Sequence, residues 1–428
     1  MGHLGQTKAL YKKLIQRVDS YPVGILEDEQ VHRLLEKLYT REEAFLVSKM
    51  PLKMMTAEDL SKRVGIKTEE LSEKLRKMAD KAIIFDLERN GKRYYAPMWS
   101  VPGFIEMTLM KVRDDIPQKE IAALMLEMFK DKKFVEAIFQ GETQFGRALV
   151  EEKAALDTSD IMPYEVVTEV VREAKKAAVV LCYCRHKEEH AGRPCQYPME
   201  VCMALDTGAE FVITHQYGRE IEIGEALDVI EHTSELGLMH IGDNVKNHLG
   251  FICNCCRCCC GILRSYHDHG IFNVAVSSSY VMKLDENSCV GCGKCVEKCQ
   301  LNAISVEKKA DGKRKALIDQ ELCLGCGICY RACPTKSLSL QKREKRIITP
   351  ESGLEKMIVM AIERGKLQDL IFDNVYSPLH SLLRNVSGAL LRSNAVRHYL
   401  LKEKTRKKIM RLMALTMKKH EFELLSDM

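Results

Sequence analysis

The residues best able to do chemistry in this chain are its 18 cysteines, which all lie between Cys182 and Cys333. Fourteen of them lie from Cys253 onward. The chain opens with MGHLGQTKALYKK, which lacks the apolar segment of a signal peptide, and we therefore expect a cytoplasmic protein. Thiols that cluster in a cytoplasmic chain favour metal ligation over a disulfide framework.

Two cysteine runs near the end of this stretch share the spacing C-x2-C-x2-C-x3-C. The first run comprises Cys289, Cys292, Cys295 and Cys299, and the second comprises Cys323, Cys326, Cys329 and Cys333. Glycines inside each run permit the tight turn by which three thiolates converge on one iron–sulfur cubane. Zinc bound by paired CxxC motifs is the alternative, and the doubled four-cysteine run with its glycines argues against it.

This doubled run resembles the bacterial ferredoxins that carry two [4Fe-4S] clusters. In that family the fourth cysteine of each run binds the cluster held by the other run. The resemblance implies one cluster on Cys289, Cys292, Cys295 and Cys333, and a second on Cys323, Cys326, Cys329 and Cys299. One departure is Gln300, which stands where the second run has Pro334.

Ten further cysteines precede the two runs and are predicted to bind metal as well. They are Cys182, Cys184, Cys195, Cys202, Cys253, Cys255, Cys256, Cys258, Cys259 and Cys260. Because adjacent residues of an extended segment face opposite sides, the dense part suits two metal centres flanking one loop, or one cluster of unusual shape. We expect one or two additional iron–sulfur clusters here, with zinc as the alternative. Arg185, Arg257 and Arg264 border these cysteines and could balance cluster charge or contact an anion.

Residues 177–342 resemble a group of iron–sulfur proteins of anaerobes, in which such a cysteine block directly precedes a two-cluster ferredoxin segment. Further upstream, residues 41–98 resemble the winged-helix fold, since three helical segments precede two β-prone runs around Asn90-Gly91. The predicted recognition helix mixes basic and acidic residues, which favours a protein-facing surface over a DNA footprint.

The elements that must position the cysteines predict an α+β multidomain protein. Its parts are a helical plus winged-helix-like domain (1–100), a helical connector (101–176), a cysteine-rich α/β metal domain (177–279), a two-[4Fe-4S] ferredoxin-like domain (280–342) and a basic helical C-terminal region (343–428). Within the third part, strands are predicted over 177–185, 210–215, 238–242 and 247–254, and a helix over 224–237. Trp99, the only tryptophan, is expected to pack at a domain junction or beside a cofactor.

These features favour an electron-transfer protein or subunit that relays single electrons to or from a partner redox enzyme in anaerobic metabolism. One alternative is a reductase with a substrate-accessible cluster at Cys253–Cys260, and another is a redox-sensing winged-helix regulator that binds DNA. Catalytic residues are not predicted, and the absence of a P-loop and of GxGxxG after a strand argues against bound nucleotides. No apolar run is long enough to span a membrane.

Basic segments suggest how partners would dock. Ten Lys or Arg and one Glu lie between residues 391 and 420, and five more basic residues lie between 308 and 315. We therefore expect redox partner proteins with an acidic surface, and membership of a hetero-oligomeric complex.

Overall fold

A computed structural model describes residues 3–158, 160–309, 312–344, 347–375 and 377–416. The predicted C-terminal region extends beyond these residues, so that its last part, 417–428, lies outside the described chain. The described elements combine helices with several antiparallel sheets, which confirms the predicted α+β class at that level. The domain boundaries given above stay predictions.

The N-terminal part contains five helices and a small antiparallel sheet. Its elements are α1 (His3–Asp19), α2 (Glu29–Leu38), α3 (Arg41–Lys49), β1 (Met55–Thr56), α4 (Ala57–Val64), α5 (Thr68–Asp80), β2 (Ile84–Arg89) and β3 (Lys92–Pro97). The β2–β3 hairpin turns at Asn90 and Gly91, whose φ angles of 54° and 68° are those that a tight hairpin turn requires. The predicted order of three helices and a hairpin is present, and its assignment to the winged-helix family remains a prediction.

A helical connection leads from this part to the main sheet. It contains α6 (Ile105–Met107), α7 (Gln118–Met128), α8 (Lys132–Ile138), β4 (Gly146–Ala148), α9 (Glu152–Leu156) and α10 (Val167–Glu173). The following residues supply β5 (Ala177–Leu181), α11 (Tyr183–His190), β6 (Glu200–Leu205), α12 (Asp206–Thr214), β7 (Gly218–Ile221), α13 (Ile223–Leu236), β8 (Met239–Asp243), β9 (Phe251–Cys255) and α14 (Gly261–His269).

Six strands form the main sheet in the order β4-β8-β9-β6-β5-β7, and all neighbours are antiparallel. The helix predicted over 224–237 is present as α13, and Gly237 ends it with a φ of 84°. The predicted strand at 210–215 is wrong, because these residues belong to α12. Phe211 and Val212 are buried on one side of that helix, and Phe211 stacks on Phe85 of β2 at 5.0 Å, so tertiary packing overrides the β propensity of the segment.

The ferredoxin-like segment folds around two two-stranded sheets. Its elements are β10 (Tyr280–Leu284), α15 (Lys294–Lys298), β11 (Ile304–Lys308), β12 (Arg314–Ile318), α16 (Ile328–Arg331) and β13 (Leu338–Lys342). Strand β10 pairs with β13, and β11 pairs with β12. The first pairing brings the two ends of the segment together, so both cysteine runs lie in one compact unit.

The C-terminal part is helical, as predicted. It contains α17 (Gly353–Glu363), α18 (Leu367–Ile371), α19 (Pro378–Leu391), α20 (Asn394–Leu401) and α21 (Glu403–Thr416). Ion pairs join it to the rest of the chain, since Arg17 of α1 pairs with Asp373, and Lys356 of α17 pairs with Asp243 of β8. Among the described helices, none combines the length and the apolar character that a membrane span needs.

Candidate metal centres

Six of the ten cysteines between 182 and 260 form a closed ring in which each thiol interacts with two neighbours. We call this set the six-thiol ring; in order around it lie Cys182, Cys184, Cys260, Cys255, Cys253 and Cys202. The order of the sheet explains the ring, because β5, β6 and β9 are adjacent strands. Cys202 of β6 and Cys253 and Cys255 of β9 meet the cysteines at the start of two helices. These are Cys182 and Cys184 at α11, which follows β5, and Cys260 at α14.

The other four cysteines form a separate, tighter set, the four-thiol group. Its members are Cys195, Cys256, Cys258 and Cys259, whose sulfurs all lie within 4.8 Å of one another. The sulfur of Cys195 is 3.9 Å from that of Cys256 and 3.5 Å from that of Cys258, and the sulfurs of Cys258 and Cys259 are 3.6 Å apart. Four converging sulfurs at this spacing match a single tetrahedral metal ion.

Adjacent cysteines of the dense run belong to different sets. Cys255 lies in the six-thiol ring and Cys256 in the four-thiol group, and Cys260 and Cys259 divide in the same way. The dense loop thus divides its thiols between two sets, which is the grouping expected if two metal centres flank one loop. The spacing of Cys182, Cys184, Cys195 and Cys202 gave no sign that Cys195 lies apart from the other three.

Two buried cations lie beside the ring. Arg185 is fully buried, and its guanidinium donates hydrogen bonds to the carbonyls of Pro198 and Asn254 at 2.8 Å each. Its Nε is buried with no hydrogen-bond partner within the described part of the chain. Lys187 is 2% exposed and acts electrostatically on the Cys184 thiol. A buried, unpaired donor next to six thiols fits an anionic cluster, whose sulfides would accept the hydrogen bond.

The thiols themselves need such charge compensation. Hydrogen bonding to Cys182 and then burial raise the pKa of Cys184, whereas hydrogen bonding to Cys202 lowers the pKa of Cys253 to about 7. Metal binding requires thiolates and therefore displaces protons from these groups. The third arginine of the sequence analysis, Arg264, instead pairs with Glu188 and Asp268 at 3.3 Å and 2.8 Å.

In the ferredoxin-like segment, the fourth cysteine of each run lies among the cysteines of the other run. A small cavity is lined by Cys289, Cys292, Cys295 and Cys333. Cys299 interacts electrostatically with Cys323, and in turn acts on Cys326 and Cys329. The contacts group the eight cysteines as the resemblance implied, and their ligation of clusters stays a prediction.

The backbone around these cysteines is built for close approach. At Gly325 φ is +66°, and a Cβ there would come within 2.0 Å of the carbonyl oxygen of Tyr280. Only glycine fits such a position. Backbone amides donate to three of the sulfurs, namely Gly291 to Cys289 at 3.4 Å, Ala303 to Cys299 at 3.3 Å and Ser337 to Cys333 at 3.3 Å.

Gln300 connects the ferredoxin-like segment to the dense cysteine loop. Its side-chain oxygen accepts from the amide of Arg257 at 2.9 Å, and its side-chain nitrogen donates to the carbonyl of Gly237 at 2.6 Å. The Arg257 guanidinium also donates to Asn302 at 2.8 Å. Through Gln300, the residue that follows Cys299 is hydrogen-bonded to the loop that carries the four-thiol group.

A large cavity of about 730 Å³ opens on the six-thiol ring. Its lining is mainly apolar and includes Phe85, Trp99, Phe129 and the carboxyl group of Glu106. Trp99, expected at a domain junction or beside a cofactor, lies in this cavity. Glu106 was not predicted, although one signal was present, since it is the single charged residue of the apolar segment 98–110.

A family model described as a 4Fe-4S dicluster domain matches residues 288–337. No curated protein and no solved structure matches the chain. The match covers the two cysteine runs and confirms an iron–sulfur, ferredoxin-like domain at these residues. It implies [4Fe-4S] clusters and supports a role in iron–sulfur electron transfer.

Proposed function

We propose that this chain is the electron-transfer component of a cytoplasmic redox complex of anaerobic metabolism, and that it passes single electrons between a partner protein and its own ten-cysteine region. The observation that carries the proposal is the contact between Gln300 and Arg257, which joins the dicluster domain to the loop of the four-thiol group. A relay needs its centres close together, and this contact brings one dicluster site to that loop.

The ligands of the dicluster domain are proposed as the crossed sets described above. Bound [4Fe-4S] clusters supply one-electron chemistry at potentials that hydrogen bonds and charge adjust. The amides of Gly291, Ala303 and Ser337 donate to cluster-binding sulfurs and so stabilise the reduced, more negative state. The sulfur set around Cys299 is the one nearer in the chain to this contact, because Gln300, which follows Cys299, is hydrogen-bonded to the loop of the four-thiol group.

The ten remaining cysteines are proposed as two centres of different kinds. The four-thiol group takes one tetrahedral ion, for which zinc is the natural choice with four thiolates. The six-thiol ring takes an iron–sulfur cluster. One cubane would use four of the six thiolates and leave two thiols unused. Two four-iron units joined by one bridge that occupies an iron of each would leave about six irons, one for each thiolate.

Partner proteins are proposed to dock on basic and apolar surface at the C-terminal end. Leu382, Val386 and Leu390 of α19 are 60–66% exposed, and Tyr399 of α20 is 59% exposed. Exposed apolar residues among many basic ones suit an acidic partner with an apolar centre to its interface. This surface supports membership of a hetero-oligomeric complex.

A reductase remains the second candidate, and the cavity that opens on the six-thiol ring favours it. A DNA-binding regulator is less well supported. The hairpin that would serve as the wing is engaged within the chain, since Arg89 pairs with Glu210 of α12 at 2.6 Å. On the proposed recognition helix, Lys74 pairs with Glu42 and Lys77 with Glu73.

Metal analysis with EPR of the anaerobically purified protein tests the proposal. About eight irons per chain would mean that only the dicluster domain binds clusters, and would refute a cluster in the ring. About twelve irons would indicate one additional cubane, and about sixteen an eight-iron cluster. One zinc per chain is expected in addition.

The crossed ligation has its own test. We expect Cys299→Ala to damage the cluster held mainly by Cys323, Cys326 and Cys329, and Cys333→Ala to damage the other one. EPR spectra of the reduced variants distinguish the two losses. Damage confined to the cluster of each variant's own run would refute crossed ligation.

A further inference from the structure

The cavity beside the six-thiol ring has the size and character of a small-molecule site. Its volume of about 730 Å³ lies within the range of roughly 300–1,000 Å³ that such sites occupy. The ring thiols line only one side of it. The remaining lining comes from the N-terminal part, the helical connection, the main sheet with its helices and the C-terminal helices, so the cavity extends well beyond the ring thiols.

The lining selects an apolar, aromatic ligand. Trp99 lies 5.6 Å from Phe85, whose ring in turn stacks on that of Phe211 at 5.0 Å, and all three line the cavity. Methionines add adaptable apolar surface, with Met107 and Met110 half-buried on the same wall. Aromatic rings in a row favour a planar molecule that stacks between or against them.

Apart from Glu106, the acidic groups of the lining are neutralised, and the cations Lys53 and Arg63, which also line the cavity, are exposed and partly exposed, respectively. Lys356 pairs with Asp243, and Asp373 pairs with Arg17 and accepts from the amide of Leu52 at 2.7 Å. Arg185 is directed to carbonyl oxygens and to the thiols. A ligand with a net charge would therefore find no matching counter-charge in these pairs.

Among the acidic groups of the lining, Glu106 is the exception. Its carboxylate accepts a hydrogen bond from the amide of Gly103 at 2.7 Å, and no cation of the described residues forms an ion pair with it. Burial outweighs the hydrogen bonds to the backbone and the charge of Lys187, and raises the pKa of Glu106 to about 8. A raised pKa favours the protonated carboxyl near neutral pH, and a protonated carboxyl can donate a hydrogen bond.

Tyr183 links this acid to the ring. Its hydroxyl interacts with the thiol of Cys184 and feels the charges of Cys260 and Glu106. Glu106, Tyr183 and the six ring cysteines line the same cavity, so a molecule that fills it can contact both Glu106 and the ring.

We propose that this cavity binds an uncharged, planar aromatic molecule that places one hydrogen-bond-accepting oxygen at Glu106 and one face toward the six-thiol ring. This proposal extends the reductase candidate of the proposed function. Only the contact between the ligand and the ring requires that a cluster is bound there. Ligand binding itself depends on the cavity and on Glu106.

Calorimetry on the full, metal-loaded chain tests binding with two probes, 2-acetylnaphthalene and naphthalene. The first has a carbonyl oxygen for Glu106 and the second has none. We expect one molecule of 2-acetylnaphthalene per chain. Glu106→Leu should weaken its binding about tenfold, which corresponds to roughly 1.4 kcal/mol for one lost hydrogen bond. Glu106→Gln keeps a donor and should bind like the wild type, and naphthalene should not distinguish the variants.

A second pair of variants locates the probe. Met107→Trp fills the cavity and should weaken both probes at least tenfold, whereas Val112→Trp adds the same side chain at an 80% exposed position and should leave binding unchanged. Absence of binding, or binding that neither Met107→Trp nor Glu106→Leu weakens, overturns the proposal. If Met107→Trp fails to fold, the comparison of Glu106→Leu with Glu106→Gln still decides.

EPR of the same samples tests the contact with the ring. Addition of 2-acetylnaphthalene should alter the signal that remains after the dicluster signals are assigned, and an unchanged spectrum with bound probe refutes that contact. Iron analysis separates this failure from that of the proposed function. A chain with about eight irons that still binds the probe refutes the ring cluster and keeps the ligand site.

Discussion

Replacement of Cys195 by Ser is expected to remove one metal ion from the chain and to leave its iron unchanged. Cys195 is the only member of the four-thiol group outside the segment 256–259, and it lies on the loop between α11 and β6. Its loss therefore opens the coordination of that centre without touching the ring.

The sulfur distances give the magnitude. Four sulfurs at about 2.3 Å from one zinc ion in a tetrahedron stand about 3.8 Å apart. The distances observed are 3.5 Å, 3.6 Å and 3.9 Å. The thiolates of a cubane bind four different irons and must stand farther apart than this. The wild-type chain should accordingly contain about one zinc with four sulfur neighbours at about 2.3 Å.

Elemental analysis and X-ray absorption at the zinc edge provide the assay. Cys195→Ser should lose the zinc, or retain it with three sulfur neighbours, at constant iron. The matched control is Cys182→Ser, which lies in the ring and should lower iron at constant zinc. A wild-type chain without zinc, or a loss of about four irons in Cys195→Ser, would refute the single-ion assignment.

Three further outcomes are expected. Gly325→Ala should unfold or lose its cluster faster than Gly312→Ala in thermal melts followed by visible absorbance. Both residues have positive φ, but only at Gly325 does the new Cβ meet backbone, 2.0 Å from the carbonyl oxygen of Tyr280. This clash should add about 1–3 kcal/mol to the cost of the substitution. Equal melting temperatures of the two variants would contradict the clash. His215 lies 2.7 Å from both Asp80 and Asp86, and although burial opposes it, these carboxylates raise the pKa of His215. The stabilisation by His215 is fully present below its unfolded pKa of about 6.5 and is lost as pH rises through its folded pKa. The free energy of unfolding, measured with denaturant, should therefore fall with pH above about 6.5, and His215→Gln should not show this fall. Gln300→Ala should lower the free energy of unfolding by about 1–3 kcal/mol, because a part-buried partner at Arg257 and a buried partner at Gly237 lose their hydrogen bonds. Asn302→Gly removes a more exposed bond at a position with a φ of 53°, which glycine tolerates, and should cost less; equal costs would contradict a larger contribution from the buried link.

Local features were the ones that could be predicted from the sequence. The hairpin at Asn90-Gly91 and the end of α13 at Gly237 follow from backbone conformations that only certain residues adopt easily. The dicluster segment could be predicted equally well, because its cysteines lie at fixed spacings within short loops. The prediction of a strand at 210–215 was wrong because a short apolar segment has little conformational preference of its own. Packing of Phe211 against Phe85 decides its conformation.

The sequence by itself therefore determined that the chain carries an iron–sulfur domain, because four closely spaced cysteines can reach one cluster whatever the rest of the fold does. The tertiary structure alone decided how the other ten cysteines divide. Cys195 and Cys202 are near neighbours in the chain, yet they belong to different thiol sets. The order of strands β5, β6 and β9 brings Cys202 to the ring, while the preceding loop carries Cys195 to the four-thiol group. The position of Glu106 in the cavity is likewise a matter of packing between distant segments, and no spacing along the chain encodes it.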